Sequence, residues 1–367
     1  MFQPKILQLA SGDLWGGAEA AVYELCRGLS DRGVAVSAVV LNPGELASRL
    51  TATGIPTVVL DERSQSSLRI FVELRRVTAV FRPQVIHSHR KKEHILACAV
   101  ARTVFGTRPA LVKTIHGAPE PHSGPPRLRS RVSQALDSWC DRQFAARVAV
   151  SSELAGLLRR QAPGSSLEIV HNGIRPPPDA IRDKAVTAAR VVGFAGRFVP
   201  IKRIDLLIQI AAIVRQLASD TVHFQIVGAG PLQQQLLEQA CSAGVADTVS
   251  FVPFQPNIWG TLGSWDVAIL TSDHEGLPMI CLEALAAGVP VFARDVGGLR
   301  EVVLGPEQGV LLDSADPGKI AVALLEFFGS QSAAGPRRNR LPADFSADAM
   351  CAGYIGVYRG LAGALRR

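Results

Sequence analysis

The fold of this chain is decided by the stretch VAILTSDHEGLPMICLEALAAGVPVFA, residues 267–293. Val267–Leu270 and Val289–Ala293 are short apolar runs of the kind that form buried strands. Between them, Gly276 and Pro278 mark a turn into a helix, and Gly288 ends that helix. A strand, a helix and a second strand in this order predict a βαβ unit with parallel strands.

The same alternation extends in both directions from this stretch. The strands predicted in the first half are Ile6–Ala10, Val34–Leu41, Pro56–Leu60, Val85–His87, Leu111–Ile115, Arg147–Val150 and Glu168–Val170. Those predicted in the second half are Val191–Ala195, His223–Val227, Val249–Val252, Val267–Leu270, Val289–Ala293 and Val310–Leu312. Helical patterns separate most of them, which favours parallel sheets. The sequence therefore predicts an α/β protein with the same architecture twice.

The segment HNGIRPPP, residues 171–178, interrupts the alternation. Three successive prolines cannot occupy a helix interior or a central strand, so this segment is typical of an interdomain link. We predict an N-terminal domain over residues 1–172, a linker over 173–188 and a C-terminal domain over 189–345, which suits a length of 367 residues. Ser346–Leu365 is predicted to be helical, with Tyr354 and Tyr358 spaced for one face.

The composition, 47% hydrophobic and 19% charged, is typical of a packed globular protein. No apolar run reaches the roughly 20 residues of a membrane helix, and the chain start reads as a strand rather than a signal peptide. These features favour a cytoplasmic protein.

The 6 cysteines lie far apart in predicted helices, without a C-x-x-C pair, which favours buried reduced thiols over a disulfide or metal site.

Positive charge is concentrated in the first half of the chain. Residues 1–172 contain 22 lysines and arginines against 14 acidic residues, a net charge of +8, whereas the remainder carries 17 against 18. The basic half is a candidate for meeting an anionic membrane surface or a phosphorylated acceptor, or is simply a solvated face. Nucleic acid is not expected as a partner, because no binding motif or aromatic stacking platform accompanies the charge.

Two glutamates of the opening stretch are candidates for binding sugar hydroxyls. Glu275 falls in the loop before the predicted helix, and Glu283 falls one to two turns inside it. A carboxylate suits sugar and ribose hydroxyls because each oxygen accepts from an O–H donor. The free N–H groups of the helix start, beside Gly276, Leu277 and Pro278, favour a diphosphate or sugar oxygens. The alternative is an ordinary surface helix with two incidental acidic residues.

Basic and glycine-rich turns after other strands suit phosphate binding. Arg197 and Lys202 lie five residues apart after Val191–Ala195. Such a pair can neutralise two phosphate charges, unless the two are scattered surface cations. Gly16 and Gly17 follow the first strand, where adjacent glycines let backbone approach a ligand.

The turn after His223–Val227 argues against a dinucleotide site. It reads GAGPLQ over residues 228–233, so Gln233 stands where the G-x-G-x-x-G pattern needs its third glycine, and no acidic residue follows at the required distance. A nicotinamide-dependent dehydrogenase is therefore disfavoured, while a mononucleotide pocket stays open. P-loop, H-E-x-x-H and nucleophile-elbow motifs are absent from the sequence, which removes several kinase and hydrolase classes.

Histidines end two of the predicted strands. His89 follows Val85–His87 and His116 follows Leu111–Ile115, at strand ends where open α/β sheets bind ligands. We favour a functional role for His116 over one for His89, and a structural role is the alternative for both. The segment Gly117–Arg131, rich in proline and arginine and without periodicity, is a candidate lid on the acceptor side.

Taken together, these residues resemble family 4 of the retaining glycosyltransferases, which have the GT-B fold. The motifs that carry the resemblance are GGAE at 16–19, IHSH at 86–89, TIHG at 114–117, AVSS at 149–152, HNGI at 171–174, GR at 196–197, EGLP at 275–278 and EALAAGVPV at 283–291. It covers nearly the whole chain and implies two Rossmann-like domains facing each other across a cleft, with the final helix, about 346–367, packing on the N-terminal domain. The chain departs from the family at Arg175, in the linker, where an aspartate is frequent.

The resemblance also implies roles for the candidate residues. Glu283 would hold the donor ribose, Glu275 would lie against the transferred sugar, and His116 would contact that sugar near the reaction centre. The diphosphate leaving group would be bound by Arg197, Lys202, Gly16 and Gly17, next to the helix start at Gly276, Leu277 and Pro278. The family needs no divalent metal or other cofactor, because the basic pair neutralises the leaving group.

The expected function is transfer of a sugar from a nucleotide-diphosphate sugar to a hydroxyl of a glycan, lipid-linked or cell-envelope acceptor. Retention is implied by the family, and since no second carboxylate stands out as a nucleophile, we favour same-face displacement assisted by the leaving phosphate. Peripheral association with the inner face of the cytoplasmic membrane is a further expectation. The alternative is a non-catalytic nucleotide-sugar-binding protein of the same fold.

Overall fold

The structure is a computed structural model that describes residues 4–104, 108–117, 138–161, 167–181, 189–218, 222–330 and 337–364. The chain divides into two compact units. Unit 1 comprises residues 1–173 together with 346–367, and unit 2 comprises residues 174–345. Beyond Gly117, the candidate acceptor-side lid lies outside the described residues.

Unit 1 is built on a seven-stranded parallel sheet. Its strands are β1 (Ile6–Ser11), β2 (Val36–Leu41), β3 (Thr57–Leu60), β4 (Val85–Ser88), β5 (Ala110–Ile115), β6 (Ala146–Ala149) and β7 (Leu167–Ile169). They lie in the order β3-β2-β1-β4-β5-β6-β7, and neighbours are parallel. The chain leaves β1 toward β2 on one side and later returns to β4 on the other, which is the Rossmann arrangement.

The helices of unit 1 bury one face each against this sheet or against one another. They are α1 (Gly17–Asp31), α2 (Glu45–Ala52), α3 (Ser67–Phe81), α4 (Lys91–Ala101), α5 (Ser152–Gln161) and, at the end of the chain, α12 (Ala347–Ala364). In α1, Val22, Leu25 and Leu29 recur at helical spacing and are buried. Helix α12 packs on α1 so closely that a Cβ at Gly28 would overlap the Cys351 sulfur.

Unit 2 repeats this plan with a six-stranded parallel sheet in the order β10-β9-β8-β11-β12-β13. The strands are β8 (Arg190–Arg197), β9 (Val222–Ala229), β10 (Val249–Val252), β11 (Val267–Leu270), β12 (Val291–Arg294) and β13 (Gly309–Leu312). The helices are α6 (Ile204–Ala218), α7 (Gln233–Ser242), α8 (Trp259–Leu262), α9 (Met279–Ala286), α10 (Leu299–Val302) and α11 (Pro317–Ser330).

The predicted fold class is confirmed, because both units are parallel α/β structures with the Rossmann strand order. Every predicted strand is present, and none of the ends moves by more than two residues. Residues 267–293 form β11, α9 and β12. No helix of the described segments is both long enough and apolar enough to span a bilayer.

One expectation about the cysteines is wrong. All six lie in helices and are free thiols, but Cys241 is exposed whereas the other five are buried. Cys241 stands near the end of α7 and follows Ala240, whose side chain faces the core. One step along a helix turns a side chain by about 100°, so Cys241 points away from that core.

In the middle of unit 2, strand β8 packs closely against the indole ring of Trp265. A Cβ at Gly193 would overlap the ring of Trp265, which is fully buried. The indole Nε1 donates to Gln225 Oε1 at 2.6 Å, so the ring cannot shift without straining that hydrogen bond. Interiors packed this tightly do not absorb an added methyl group freely.

We expect Gly193→Ala to lower the free energy of unfolding of unit 2 by about 1–3 kcal/mol, because the new methyl group must displace Trp265. Denaturant unfolding followed by tryptophan fluorescence and circular dichroism measures this loss. Gly260→Ala is the matched control, since a Cβ there meets no atom within 4 Å. Equal stability of the two variants would contradict the packing described.

Candidate functional site

The candidate site of unit 2 lies at the carboxyl ends of β8 and β11. These strands are neighbours, with Val267 paired to Val192. The connection after β8 leads to β9 on one side, whereas the connection after β11 leads to β12 on the other. Open α/β sheets bind ligands where two connections diverge in this way. Lys202 follows β8 and Glu275 follows β11, so the topology brings both predicted groups to one edge of the sheet.

Lys202 and Glu275 are joined directly. Lys202 Nζ donates to Glu275 Oε1 at 2.6 Å, and Ser272 Oγ donates to the same oxygen at 2.6 Å. The Glu275 side chain is only 9% exposed and that of Lys202 is 25% exposed. Oε2 of Glu275 has no hydrogen-bond partner within the segments that the structure describes. The pair therefore offers a cation beside a carboxylate with one oxygen left to accept from a ligand hydroxyl.

A second charged cluster holds the loop between Ser272 and Glu275. Arg203 Nη1 donates to Asp273 Oδ1 at 3.2 Å, and Arg294 Nη1 contacts the same carboxylate and donates to the Ser272 carbonyl at 3.2 Å. Arg203 also donates through Nε to Asp205 at 3.1 Å, and this hydrogen bond raises the pKa of Arg203. This cluster, whose members are not predicted from the sequence, fixes the backbone that carries Glu275.

Helix α9 is buried on nearly every side. Gly276, Leu277 and Pro278 precede it and are buried, and within Met279–Ala286 the residues that keep partial exposure are Ile280 and Glu283. Glu283 lies in the second turn. Glu283 is the one charged residue of α9, so the partly exposed side of this helix carries a single carboxylate. The prediction that Glu283 binds a ribose hydroxyl requires such an accessible carboxylate.

The loop after β12 packs against the same site. Gly297 has a φ of 63°, and a Cβ there would overlap the Glu275 carbonyl oxygen. The N–H of Gly298 donates to the Gly276 carbonyl at 2.7 Å. A left-handed glycine is thus needed for the close approach that supports the turn into α9.

Arg197 ends β8 and its side chain is exposed. It forms no ion pair with any residue in the described part of the chain. The neighbouring Gly196 lies beside the Lys202 chain, since a Cβ there would stand 4.0 Å from Lys202 Cε. Arg197 and Lys202 therefore belong to one turn, although the structure records no contact between them.

The corresponding point of unit 1 lies between β1 and β4. Gly16 precedes α1 and Gly17 is its first residue. The Glu19 side chain lies beside Gly16 and forms an ion pair with Arg90. Burial raises the pKa of Glu19 more than Arg90 lowers it. The predicted glycine turn therefore follows β1 and leads directly into α1, with a carboxylate next to it.

The two candidate histidines of unit 1 are in contact. His116 Nε2 lies 3.1 Å from His89 Nδ1. Burial lowers the pKa of His116 to about 4, with a smaller contribution from Arg90, and burial lowers the pKa of His89 well below its usual value. Both rings are therefore neutral at pH 7. His116 Nδ1 is buried and has no hydrogen-bond partner among the described residues.

Gln8 and Ser272 are residues that the sequence analysis does not single out. Gln8 is fully buried in β1, where its Oε1 lies 2.9 Å from His89 Nε2. A polar residue inside an otherwise apolar strand is the signal that marks Gln8, because a buried polar group needs a partner. Ser272 has no comparable signal, since serine is common in loops after strands.

Family models match both halves of the chain. The model described as Glycosyltransferase Family 4 matches residues 15–178, and the model described as Glycosyl transferases group 1 matches residues 179–342. A D-inositol 3-phosphate glycosyltransferase of Thermobispora bispora is 30% identical, with 87% of this chain and 83% of the relative aligned. The chain therefore belongs to glycosyltransferase family 4 and is a glycosyltransferase.

Further similarities agree with this membership. A glycogen synthase of Mycobacterium tuberculosis is 29% identical over 76% of this chain and 70% of its own. The crystal structure of Anabaena HepE in complex with UDP and glucose has a TM-score of 0.75 at 20% identity, covering 99% of this chain and all (100%) of that one. Sucrose-phosphate synthase from Thermosynechococcus elongatus has a TM-score of 0.77 at 18% identity, covering 98% and 100%. At such identities these structures establish the fold alone, which is GT-B as predicted.

Proposed function

We propose that this glycosyltransferase moves a sugar from a nucleoside-diphosphate sugar to an acceptor hydroxyl with retention of configuration and without a divalent metal. The observation that carries the proposal is the Lys202–Glu275–Ser272 cluster at the strand ends of unit 2, beside the single accessible carboxylate of α9. A cation, two carboxylates and a helix start supply separate partners for the diphosphate, the sugar and the ribose.

In this proposal the two carboxylates bind hydroxyls. Glu283 accepts from the donor ribose, and Glu275 accepts from the transferred sugar through Oε2. Lys202 binds the diphosphate without leaving Glu275, because its ammonium has three N–H donors and the carboxylate uses one. Arg197, exposed at the end of β8, adds a second positive charge for the diphosphate.

The proposed reaction proceeds from one face of the sugar. The bond between the anomeric carbon and the phosphate oxygen breaks, the acceptor oxygen takes its place on the same side, and the acceptor proton passes to the leaving phosphate. Lys202 and Arg197 stabilise the negative charge that develops on the diphosphate. One such contact is typically worth about 3–4 kcal/mol in a transition state. These cations supply the neutralisation for which other enzymes use a metal ion.

We propose donor contacts for residues of unit 1 as well. Gly16 and Gly17 offer backbone N–H groups at the start of α1, and His116 presents a ring nitrogen to the sugar. Uridine diphosphate is the nucleotide to test first, because it appears in the names of structures with this fold. For the acceptor we propose a glycan, lipid-linked or cell-envelope hydroxyl, in keeping with relatives named glycogen synthase and D-inositol 3-phosphate glycosyltransferase.

UDP or its sugar conjugate is expected to raise the midpoint of thermal unfolding by a few degrees. Ligand at 100 times its dissociation constant stabilises the folded state by about 2.7 kcal/mol. EDTA should leave the shift unchanged. GDP, ADP and TDP with their conjugates complete the panel. A shift that requires added Mg²⁺ or Mn²⁺ would contradict the metal-free site, and no shift with any nucleotide would contradict the donor assignment.

Replacing either Lys202 or Glu283 by alanine is expected to lower turnover at least about 100-fold while the fold stays intact. Turnover is measured as nucleotide release from the sugar conjugate that gives the largest thermal shift, and circular dichroism checks the fold. Lys319→Ala, an exposed lysine of the same unit, is the matched control. Undiminished activity in either variant would refute the site, and donor binding without turnover in the parent protein would favour the non-catalytic alternative.

We also propose that unit 1 docks on an anionic membrane through the outer face of α3. Leu68, Val72 and Val80 on this helix are 72%, 51% and 79% exposed. Exposed arginines interleave with them, including Arg69 and Arg75. An apolar stripe among cations suits the interface of a bilayer that carries acidic headgroups, each cation adding about 1 kcal/mol near the surface.

The surface cations are fewer than the sequence alone suggests. Arg76 is ion-paired with Glu73, Arg90 with Glu19 and Lys92 with Glu62, so none of these three cations adds net charge to a docking face. The basic residues Arg127, Arg129 and Arg131 lie outside the described residues. Helix α3 is therefore the segment on which the membrane proposal rests.

Sedimentation with vesicles tests this docking. The parent protein should bind phosphatidylcholine vesicles containing phosphatidylserine, bind pure phosphatidylcholine much less, and be released by salt. The triple variant Leu68→Ser, Val72→Ser, Val80→Ser should lose most of this binding. A double variant of exposed residues in unit 2, Leu304→Ser with Val322→Ser, is the matched control. Binding that ignores phosphatidylserine and salt would remove the proposal.

A further inference from the structure

A chain of buried side chains connects β1 to the unpartnered nitrogen of His116. Gln8 Oε1 lies 2.9 Å from His89 Nε2, and His89 Nδ1 lies 3.1 Å from His116 Nε2. Gln8 is fully buried and His89 is 6% exposed. The chain ends at His116 Nδ1, which is buried and without a hydrogen-bond partner in the described part of the protein.

The Gln8 amide oxygen, at one end of this chain of hydrogen bonds, determines which ring nitrogens of the two histidines carry protons. The Gln8 Oε1 atom carries no proton, so His89 Nε2 must donate to it. A neutral His89 then has a bare Nδ1, which accepts from His116 Nε2. His116 in turn keeps its only proton on Nε2, and its Nδ1 presents a lone pair. An amide oxygen in β1 thereby fixes the tautomer of His116, which lies two hydrogen bonds away.

A second branch runs from the Gln8 amide to α12. Gln8 Nε2 donates to the Tyr358 hydroxyl at 3.3 Å, and that hydroxyl lies 2.7 Å from His87 Nδ1. His87 Nε2 lies 2.8 Å from Thr114 Oγ1, and Thr114 lies 2.7 Å from the Tyr354 hydroxyl. Both tyrosines belong to α12 and are buried.

We propose that Gln8 is a positioning residue that holds His116 as a pure hydrogen-bond acceptor, so that the donor sugar must offer a hydroxyl at this place. The proposal rests on the proposed function, because it takes His116 to face the sugar, and it adds the kind of group that His116 selects. An O–H meets the lone pair of Nδ1 with a hydrogen bond. Fluorine or a carboxylate at the same position places two acceptors against each other, and a site of this kind rejects such analogues strongly.

The tautomer can be read in the unliganded full-length protein by ¹⁵N NMR of labelled histidines. His116 is expected to show a protonated Nε2 and an unprotonated Nδ1. Gln8→Leu, which removes the acceptor at similar volume, should change or average the His89 and His116 signals. Ser37→Ala, which removes another buried hydrogen bond of the same sheet, is the control and should leave them unchanged. A protonated His116 Nδ1 in the parent, or unchanged tautomers in Gln8→Leu, would overturn the proposal.

The selection of a hydroxyl is tested by measuring the affinity of the protein for UDP, for UDP-glucose and for UDP-glucose analogues in which each sugar hydroxyl in turn is replaced by fluorine. One analogue should bind the parent roughly tenfold more weakly than UDP-glucose. Gln8→Leu should lose this discrimination and keep its affinity for UDP, whereas Ser37→Ala should retain both. Equal discrimination in all three proteins would refute the role of Gln8. Absence of binding by any of UDP, GDP, ADP and TDP would instead refute the donor assignment, and the tautomers measured without ligand would stand as a separate result.

Discussion

Both units obey one constraint: parallel strands must be joined by crossovers that cover the two faces of the sheet. Side chains on those faces are buried under helices, so polar chemistry is confined to the edge where the strands end. The order of the strands then decides where along that edge a crevice opens. In unit 2 it opens between β8 and β11, and in unit 1 between β1 and β4. All the candidate residues of each unit gather at or near its own opening.

The two units place different chemical groups at their openings. Unit 2 places compensated charges at its opening, with Lys202 against Glu275 and two arginines against Asp273. Such a cluster offers a ligand both a cation and carboxylate oxygens, so a phosphate and a hydroxyl can be bound side by side. Unit 1 has the Glu19–Arg90 ion pair near its opening but also places neutral rings there, and His87 and His89 are kept uncharged by burial. Such rings bind by the direction of their hydrogen bonds, which requires that their protons be fixed in advance.

The sequence predicts the structure well wherever patterns within a few residues determine it. The run from Val267 to Ala293 forms the predicted βαβ unit because its apolar strands, its turn and its helix end are all encoded within a few residues. Glu275 and Glu283 fall where their spacing from that turn requires. The hydrogen bond between Lys202 and Glu275 could not be foreseen, since 73 residues separate the partners. The chain from Gln8 to Tyr358 is more remote still, with 350 residues between its ends, and only the fold brings these groups together.

Helix α12 has a consequence for how the protein is made. A chain leaves the ribosome from its N-terminus, and domains generally fold in the order in which they emerge. Unit 1, however, has its last helix behind the whole of unit 2. The strands of unit 1 therefore emerge first but lack the tyrosines that complete their buried hydrogen bonds, while unit 2 is continuous and can finish on its own. The unit that is synthesised first is thus completed last, and until residue 358 appears the Gln8 amide and His87 lack their tyrosine partner.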